Sequence, residues 1–407
     1  MEAERLDRLI QWRRGEKPGP WTVSIYPTYR CNLKCSICWK RCAGEPLRPS
    51  EELSDAHILK LVDESADLGV SDWIIGGAGE LMLRADLVMD LCARIRRRNM
   101  NGIIQTNGTC FSDKNLSLLV EMGWRSISVS IDGATAEIND DIRCKGAYEK
   151  SVATIKALNH IRRLRNTFAC TPHIVSVVTS LNCDSNQLEL LVRMAHDLDC
   201  HLALVPLITY GETTRRFELS PEQERDLPAA IGHALGVAGQ LNVACNLDMF
   251  LEGIRYSRRA MDLFNEPEGT ISQRTMCYEP WLSLVVKPTG HAGPCCTMDY
   301  FTKADNVRDK SLAEIWYGGY MEQVRRGILS GKPPSYCGDC STNQVSENGA
   351  IQRNEALWLA VTALQRLNFR HLSKRALAGV RRHGFLGALR RGSEWLQIRR
   401  SGKKAVR

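Results

Sequence analysis

Between Trp21 and roughly Tyr210, short runs rich in β-branched residues alternate with longer stretches whose apolar residues recur every three or four positions. The runs Thr22–Tyr29, Asp72–Gly77, Gly102–Asn107, Ser126–Asp132, His173–Asn182 and His201–Ile208 predict six strands. Asp55–Leu68 places Ile58, Leu59, Val62 and Ala66 on one face, and Leu87–Arg98 does the same with Leu91 and Ile95, so both predict helices. Ser220-Pro221 opens another helix running to about Gly239, with Pro221 suited to its first turn. Strands joined by helices pair in parallel, and six such units suit an α/β fold, a partial (β/α)6 barrel.

Parallel sheets with covered faces gather their chemistry at the carboxyl ends of the strands. Those ends carry the unusual residues here: a cysteine loop after the first strand, Gly76-Gly77-Ala78-Gly79-Glu80 after the second, Thr106-Asn107-Gly108 after the third and Asp132-Gly133 after the fourth. Four polar or glycine-rich ends on one face outweigh any single motif.

The 407 residues are 43% hydrophobic and 25% charged, an ordinary globular balance with room for one to three domains. Sixteen cysteines would suit a secreted scaffold, but the opening MEAERLDRLIQWRRGEKPGP is charged and lacks an apolar signal core, so a reducing, cytoplasmic setting is expected. No apolar run approaches the ~20 residues of a spanning helix. The net charge of +8 is uneven: Ile351–Arg407 holds fourteen Lys and Arg against two acids, leaving the preceding residues at −4. In this tail the pairs Arg381-Arg382, Arg390-Arg391 and Arg399-Arg400 recur every nine residues with Leu386, Leu389, Trp395 and Leu396 between them. Such a basic helix suits an anionic membrane surface or an acidic partner, or packs as a solvated helix on the barrel. Nucleic acid is not expected, because stacking aromatics are not interleaved with the basic residues.

Cys31, Cys35 and Cys38 place three soft thiols within eight residues directly after a strand. Such ligands select iron–sulfur clusters, zinc or cuprous copper. Three thiolates leave one iron of a four-iron cluster open to bind a substrate or cofactor. A zinc site with Cys42 as fourth ligand is the alternative.

CxxxCxxC after a first barrel strand resembles the radical S-adenosylmethionine (SAM) superfamily, and the resemblance spans roughly Trp21 to Tyr210. It implies that Cys31, Cys35 and Cys38 hold a 4Fe-4S cluster whose open iron is chelated by the amino and carboxylate groups of SAM. Reductive cleavage of SAM then yields a 5′-deoxyadenosyl radical that removes a hydrogen atom from substrate. Gly76, Gly77, Gly79 and Glu80 resemble the family's glycine-rich loop, whose backbone and acid contact the methionine amine. Ser130 and Asp132 resemble the fourth-strand position that reaches the ribose, and Asn107 ends the third strand facing the same pocket.

Cys277, Gly290 and Cys295, followed by Cys337-Gly-Asp-Cys340, resemble the family's C-terminal auxiliary module, called twitch in its shorter form and SPASM in its longer one. Four cysteines would fully ligate one further 4Fe-4S cluster suited to electron transfer. A zinc ribbon is the alternative, and Cys296 is placed to exchange roles with Cys295. No cysteine follows Cys340, so a second auxiliary cluster is not expected. The expected organisation is an extension over 1–20, the radical SAM barrel over 21–240, the auxiliary domain over 241–350 and the basic helical tail over 351–407.

The resemblance implies an enzyme acting on a small polar molecule, a sugar, aminocyclitol or nucleoside, with electrons from a donor such as flavodoxin or ferredoxin. A maturase of a ribosomal precursor peptide is the alternative; a segment of about twenty residues before the first strand and a single auxiliary cluster weigh against it. A cluster-bearing scaffold or redox sensor is the non-enzymatic alternative. No residue is assigned to catalysis. Among the remaining cysteines Cys144, Cys170, Cys183 and Cys200 read as structural, and Cys245 is the first candidate for a thiol that donates a hydrogen atom to a substrate radical.

Overall fold

Six parallel strands lie side by side in sequence order: β1 (Thr22–Ile25), β2 (Asp72–Ile75), β3 (Asn101–Thr106), β4 (Ser126–Ser130), β5 (Thr171–Val178) and β6 (His201–Pro206). This computed structural model describes residues 2–38, 40, 49–208, 212–254, 276–296 and 304–339. All belong to one compact unit, Met1–Asn348. The expected basic tail, 351–407, lies outside the described residues.

β3, β5 and β6 alternate, with every second side chain buried and the intervening ones on a less covered face. Val23, Ile25, Trp73, Ile75, Ile104, Ile127, Val129, Ile174 and Leu204 are all buried. One face meets the crossover helices α2 (Asp55–Asp67), α3 (Ala85–Arg97), α4 (Asp113–Glu121), α6 (Ala147–Leu164) and α7 (Ser185–Asp197), with the short α5 (Ala136–Ile142) preceding α6. Their starts are written in the sequence: the side chains of Ser54, Ser112 and Asp184 accept from backbone N–H groups of the first turn. Ser220 and Gln223 form a reciprocal capping box at the start of α8 (Pro221–Leu241).

Several strands end sooner than the sequence pattern predicts. β1 stops at Ile25 because Pro27 has no N–H to continue the ladder. β5 stops at Val178, after which Asn182 Oδ1 takes the Thr179 N–H at 2.7 Å. These shortenings leave the polar residues in loops above the sheet.

The expected barrel and auxiliary domain share one sheet. β7 (Ser283–Val286) pairs in parallel with β1, matching Val286 to Ile25, and β8 (His291–Gly293) and β9 (Asp305–Asn306) follow antiparallel, giving the order β6-β5-β4-β3-β2-β1-β7-β8-β9. Beneath this extension α1 (Glu2–Arg13), α9 (Leu312–Trp316) and α10 (Gly319–Leu329) are joined by Arg325. Its guanidinium lies 4.6 Å from the Trp12 ring centroid and 4.5 Å from that of Trp316, and it donates to the carbonyls of Pro280 and Trp316.

Candidate functional site

The cysteine loop leaves β1 at the carboxyl end of the sheet and is held from three sides. Glu52 Oε1 accepts from Thr28 Oγ1 at 2.8 Å and from the Tyr29 N–H at 2.7 Å. From the end of β3, Asn107 Nδ2 donates to Asn32 Oδ1 at 2.9 Å and lies 3.9 Å from Cys31 Sγ. From the end of α5 the Ile142 carbonyl accepts the Ser36 N–H at 2.8 Å, and from the turn that follows Cys144 Sγ accepts the Lys34 N–H at 3.1 Å.

Cys31 is exposed, whereas Cys35 and Cys38 are half-buried. Burial pushes the Cys35 thiol up to about 11, opposed by the Arg143 guanidinium; the charges of Cys38 and Cys31 push it the same way as burial. Cys31 is likewise raised, by burial first. Cys35 is raised by the charges of Cys38 and Cys31, and Cys31 by that of Cys38, as expected of thiols carried close together on one short loop. Thiols that resist ionisation this way ionise when a metal replaces their protons. Three soft donors on one short loop fit a 4Fe-4S cluster with one open iron. Among the described residues no three His, Cys, Asp or Glu converge on a single-ion site, and Cys42, the fourth ligand of the zinc alternative, lies outside them.

The glycine loop after β2 is pressed against both neighbours. Gly76 (φ 135°) and Gly77 (φ 126°) occupy conformations that L side chains rarely adopt. A Cβ on Gly76 would sit 2.3 Å from the Gln105 carbonyl oxygen, one on Gly77 2.3 Å from the Tyr26 ring, and one on Gly79 2.1 Å from the Arg30 carbonyl oxygen. The loop therefore packs backbone to backbone on the segment that delivers Cys31. Glu80 turns inward and is buried. Its carboxylate accepts from Thr106 Oγ1 at 2.7 Å, the Asn107 N–H at 2.8 Å and the Met82 N–H at 3.2 Å. Burial raises its pKa and those three donors pull it back.

Asp132 is fully buried after β4. One carboxylate oxygen accepts the Val177 N–H at 2.8 Å, and the other pairs with Arg143 Nε at 2.7 Å. The expected pocket-facing carboxylate is thus engaged by Arg143, which sequence reading did not single out. Arg143 is held by Asp132, and although burial pulls its pKa down, the charges of Asp132, Cys35 and Cys38 together raise it. Its only sequence signal is its place in DDIRCKG, a short stretch that looks like an ordinary helix end. Ser130 ends β4 half-buried, level with Val175 of β5.

In the auxiliary module Gly290 closes the turn between β7 and β8 at φ 93°, where a Cβ would meet Asn306 Oδ1 at 2.4 Å. That turn leads to Cys295 (half-buried) and Cys296 (exposed). Burial first, then the hydrogen bond with Tyr320, pushes the Tyr336 phenol up, and the charges of Cys295 and Cys337 add to that shift. Cys277 is half-buried just before the turn Glu279–Leu282. Cys340 lies outside the described residues.

Cys245 does not reach the site. Its backbone pairs with Leu202, the second residue of β6, so it lies toward the amino end of the sheet, opposite the functional loops. Cys144 instead sits at the cysteine loop.

The profile of the radical SAM superfamily matches residues 25–170, and that of the SPASM iron–sulfur cluster-binding domain matches 277–341. Mycofactocin maturase MftC of Mycobacterium tuberculosis is 30% identical over 361 residues, covering 85% of this chain and 82% of its own. PqqA peptide cyclase of Xanthomonas euvesicatoria is 26% identical over 349 residues, covering 84% of this chain and 85% of its own. Fe-coproporphyrin III synthase of Methanosarcina barkeri is 25% identical over 395 residues, covering 86% and 87%. The fold is also that of Streptococcus suis SuiB bound to S-adenosylmethionine, with a TM-score of 0.60 at 16% identity, covering 78% of this chain and 71% of that one.

Proposed function

Because this chain belongs to the radical SAM superfamily, an enzyme with a SAM-binding 4Fe-4S cluster and an auxiliary cluster in its SPASM domain, we propose that it is a maturase of a ribosomally made precursor peptide. The observation that carries this reading is the likeness, over more than four-fifths of the chain, to a maturase and a peptide cyclase. The small polar substrate expected from the short N-terminal segment and single auxiliary cluster gives way to it, since those features are indirect and the likeness runs through barrel and auxiliary module together. A second reading, a porphyrin substrate, is supported by the likeness to Fe-coproporphyrin III synthase.

In this proposal Cys31, Cys35 and Cys38 ligate the SAM-binding cluster, and Cys277, Cys295, Cys337 and Cys340 ligate the auxiliary one. When bound, the cluster and SAM supply a 5′-deoxyadenosyl radical that takes a hydrogen atom from the substrate. The chain's own residues position and neutralise. Glu80 fixes the Asn107 backbone, which sets the Asn107 amide between Cys31 and Asn32. Gly76, Gly77 and Gly79 let the loop lie flat on the β1 end and offer backbone groups to the amine of SAM. Asp132 holds Arg143 beside Cys35, so its positive charge offsets thiolate charge in a half-buried setting. Ser130 lines the same end of β4 toward the ribose. A flavodoxin or ferredoxin is the proposed electron source.

The test is anaerobic incubation of the reconstituted enzyme with SAM, a strong reductant and the short peptides encoded beside its gene, or a porphyrin. A SAM-dependent mass change in one peptide, with 5′-deoxyadenosine formed in step, supports the maturase. Turnover of the porphyrin with every peptide unchanged sinks it in favour of the second reading.

A further inference from the structure

The strand register sets four polar side chains in one row on the face of the sheet that the crossover helices leave uncovered. Gln105 of β3 is level with Ser128 of β4, Ser128 with His173 of β5, and His173 with His201 of β6. Their chain neighbours Ile104, Ile127, Val129, Ile174 and Leu202 are buried in the core with the helices, so by alternation the four turn to the inner face of the barrel. The stacked His173 and His201 rings, with centroids 4.6 Å apart, share that face. Gln105 and His201 are exposed and His173 is half-buried. Among the described residues none hydrogen-bonds to these four side chains. Because the strands are staggered, the row climbs from the first residue of β6 to the glycine loop after β2, where a Cβ on Gly76 would lie 2.9 Å from Gln105 Cβ.

Neighbouring strands lie about 4.8 Å apart, so the four steps from Gly76 to His201 span roughly 19 Å, the length of about six residues of extended chain. Amide, hydroxyl and neutral imidazole groups each offer both a donor and an acceptor. Burial first, then His201, lowers the His173 pKa to about 4, so at neutral pH that ring keeps one of each. The row contains no Lys, Arg, Asp or Glu. It therefore complements the alternating N–H and C=O groups of a peptide main chain, and offers no lysine or arginine to the carboxylates of a porphyrin. We propose that Gln105, Ser128, His173 and His201 form the track on which a precursor peptide lies extended, gripped by its main chain and presented to the SAM end at Gly76. The inference rests on the maturase reading and specifies how its substrate is held. A grip on the main chain leaves the peptide's side chains free to vary.

The test measures, by fluorescence anisotropy, binding of labelled copies of the short peptides encoded beside the gene to the full-length reconstituted protein with SAM and no reductant. Gln105→Leu and His201→Leu remove the polar groups at two exposed positions, whereas Gln105→His and His201→Gln keep a donor and an acceptor. Iron content and melting temperature check that each variant folds, and alanine replaces any leucine that fails. The expected result is binding about fivefold weaker in each leucine variant and within about twofold of wild type in the conservative ones. Copies of the bound peptide methylated at single main-chain nitrogens should include one that weakens binding to wild type but not to one of the leucine variants. Equal binding by all variants overturns the inference and leaves the maturase reading standing, as does equal loss in leucine and conservative variants. Absence of any such methylated copy overturns the main-chain grip. If wild type binds none of the peptides, the maturase reading itself fails, and the inference with it.

Discussion

A buried and a half-buried residue show how a side chain can carry more than its motif suggests. Glu80 appears in the sequence as the acid of a glycine loop, and in the structure it joins the ends of β2 and β3 through three donors. Glu80→Ala leaves buried N–H and O–H groups without acceptors and is expected to destabilise the protein by about 2–4 kcal/mol. It should also weaken SAM binding, with Glu80→Gln intermediate in both; denaturant titration and calorimetric SAM binding check this. His173 stacks on His201 of the adjacent strand with ring centroids 4.6 Å apart, and burial, then His201, lowers its pKa from 6.5 to about 4. Below about pH 6.5 the unfolded chain takes up a proton that the folded ring refuses until about pH 4. Stability is therefore expected to fall as the pH drops through that window, by up to about 3 kcal/mol. Melting temperatures across pH 7 to 4 check this, and His173→Gln should flatten the curve; an unchanged slope would remove His173 as the cause. Neither pairing was legible in the sequence, because each depends on which residues neighbouring strands bring level.

Among the elements, strand order and helix starts were legible because their signals are local. Alternating runs, the serine and aspartate caps and Pro221 at the first turn of α8 all lie within a few residues of what they determine. β7 to β9 went unread: β8 and β9 are three and two residues long, too short for a periodic pattern, and β7, as short as β1 and β2 but outside the run of alternating strands and helices, is defined by the edge that β1 offers it. The same holds for α1, which is secured through Trp12 by a residue of α10. Arg325→Met removes a guanidinium held between two indoles and two carbonyl hydrogen bonds made by a cation. An expected loss of about 2–4 kcal/mol follows from those terms. Chemical denaturation monitored by tryptophan fluorescence measures it, and a loss under about 0.5 kcal/mol, the usual effect of a surface change, would show the stack to be incidental.

At the scale of the whole molecule, one nine-stranded sheet carries both cysteine regions, so the auxiliary module extends the barrel rather than hanging from it. Two four-iron clusters predict about eight irons per chain in the wild type and about four after Cys31, Cys35 and Cys38 are replaced by alanine. Iron and sulfide analysis, with 5′-deoxyadenosine formed by the wild type alone, checks both numbers at once. Among the described residues no helix is long and apolar enough to cross a membrane. The sequence by itself determined the parallel α/β plan, the two cysteine regions and the loops that gather above the sheet. Thiol spacing, glycines and strand periodicity are local properties, and a parallel sheet leaves one end for such loops. Only the tertiary structure decided that Arg143 engages Asp132, that Cys245 lies toward the amino end and that Lys287 meets Tyr26. These outcomes depend on strand register and crossover packing between residues distant in the chain, and no spacing along the sequence encodes which distant backbone a side chain will face.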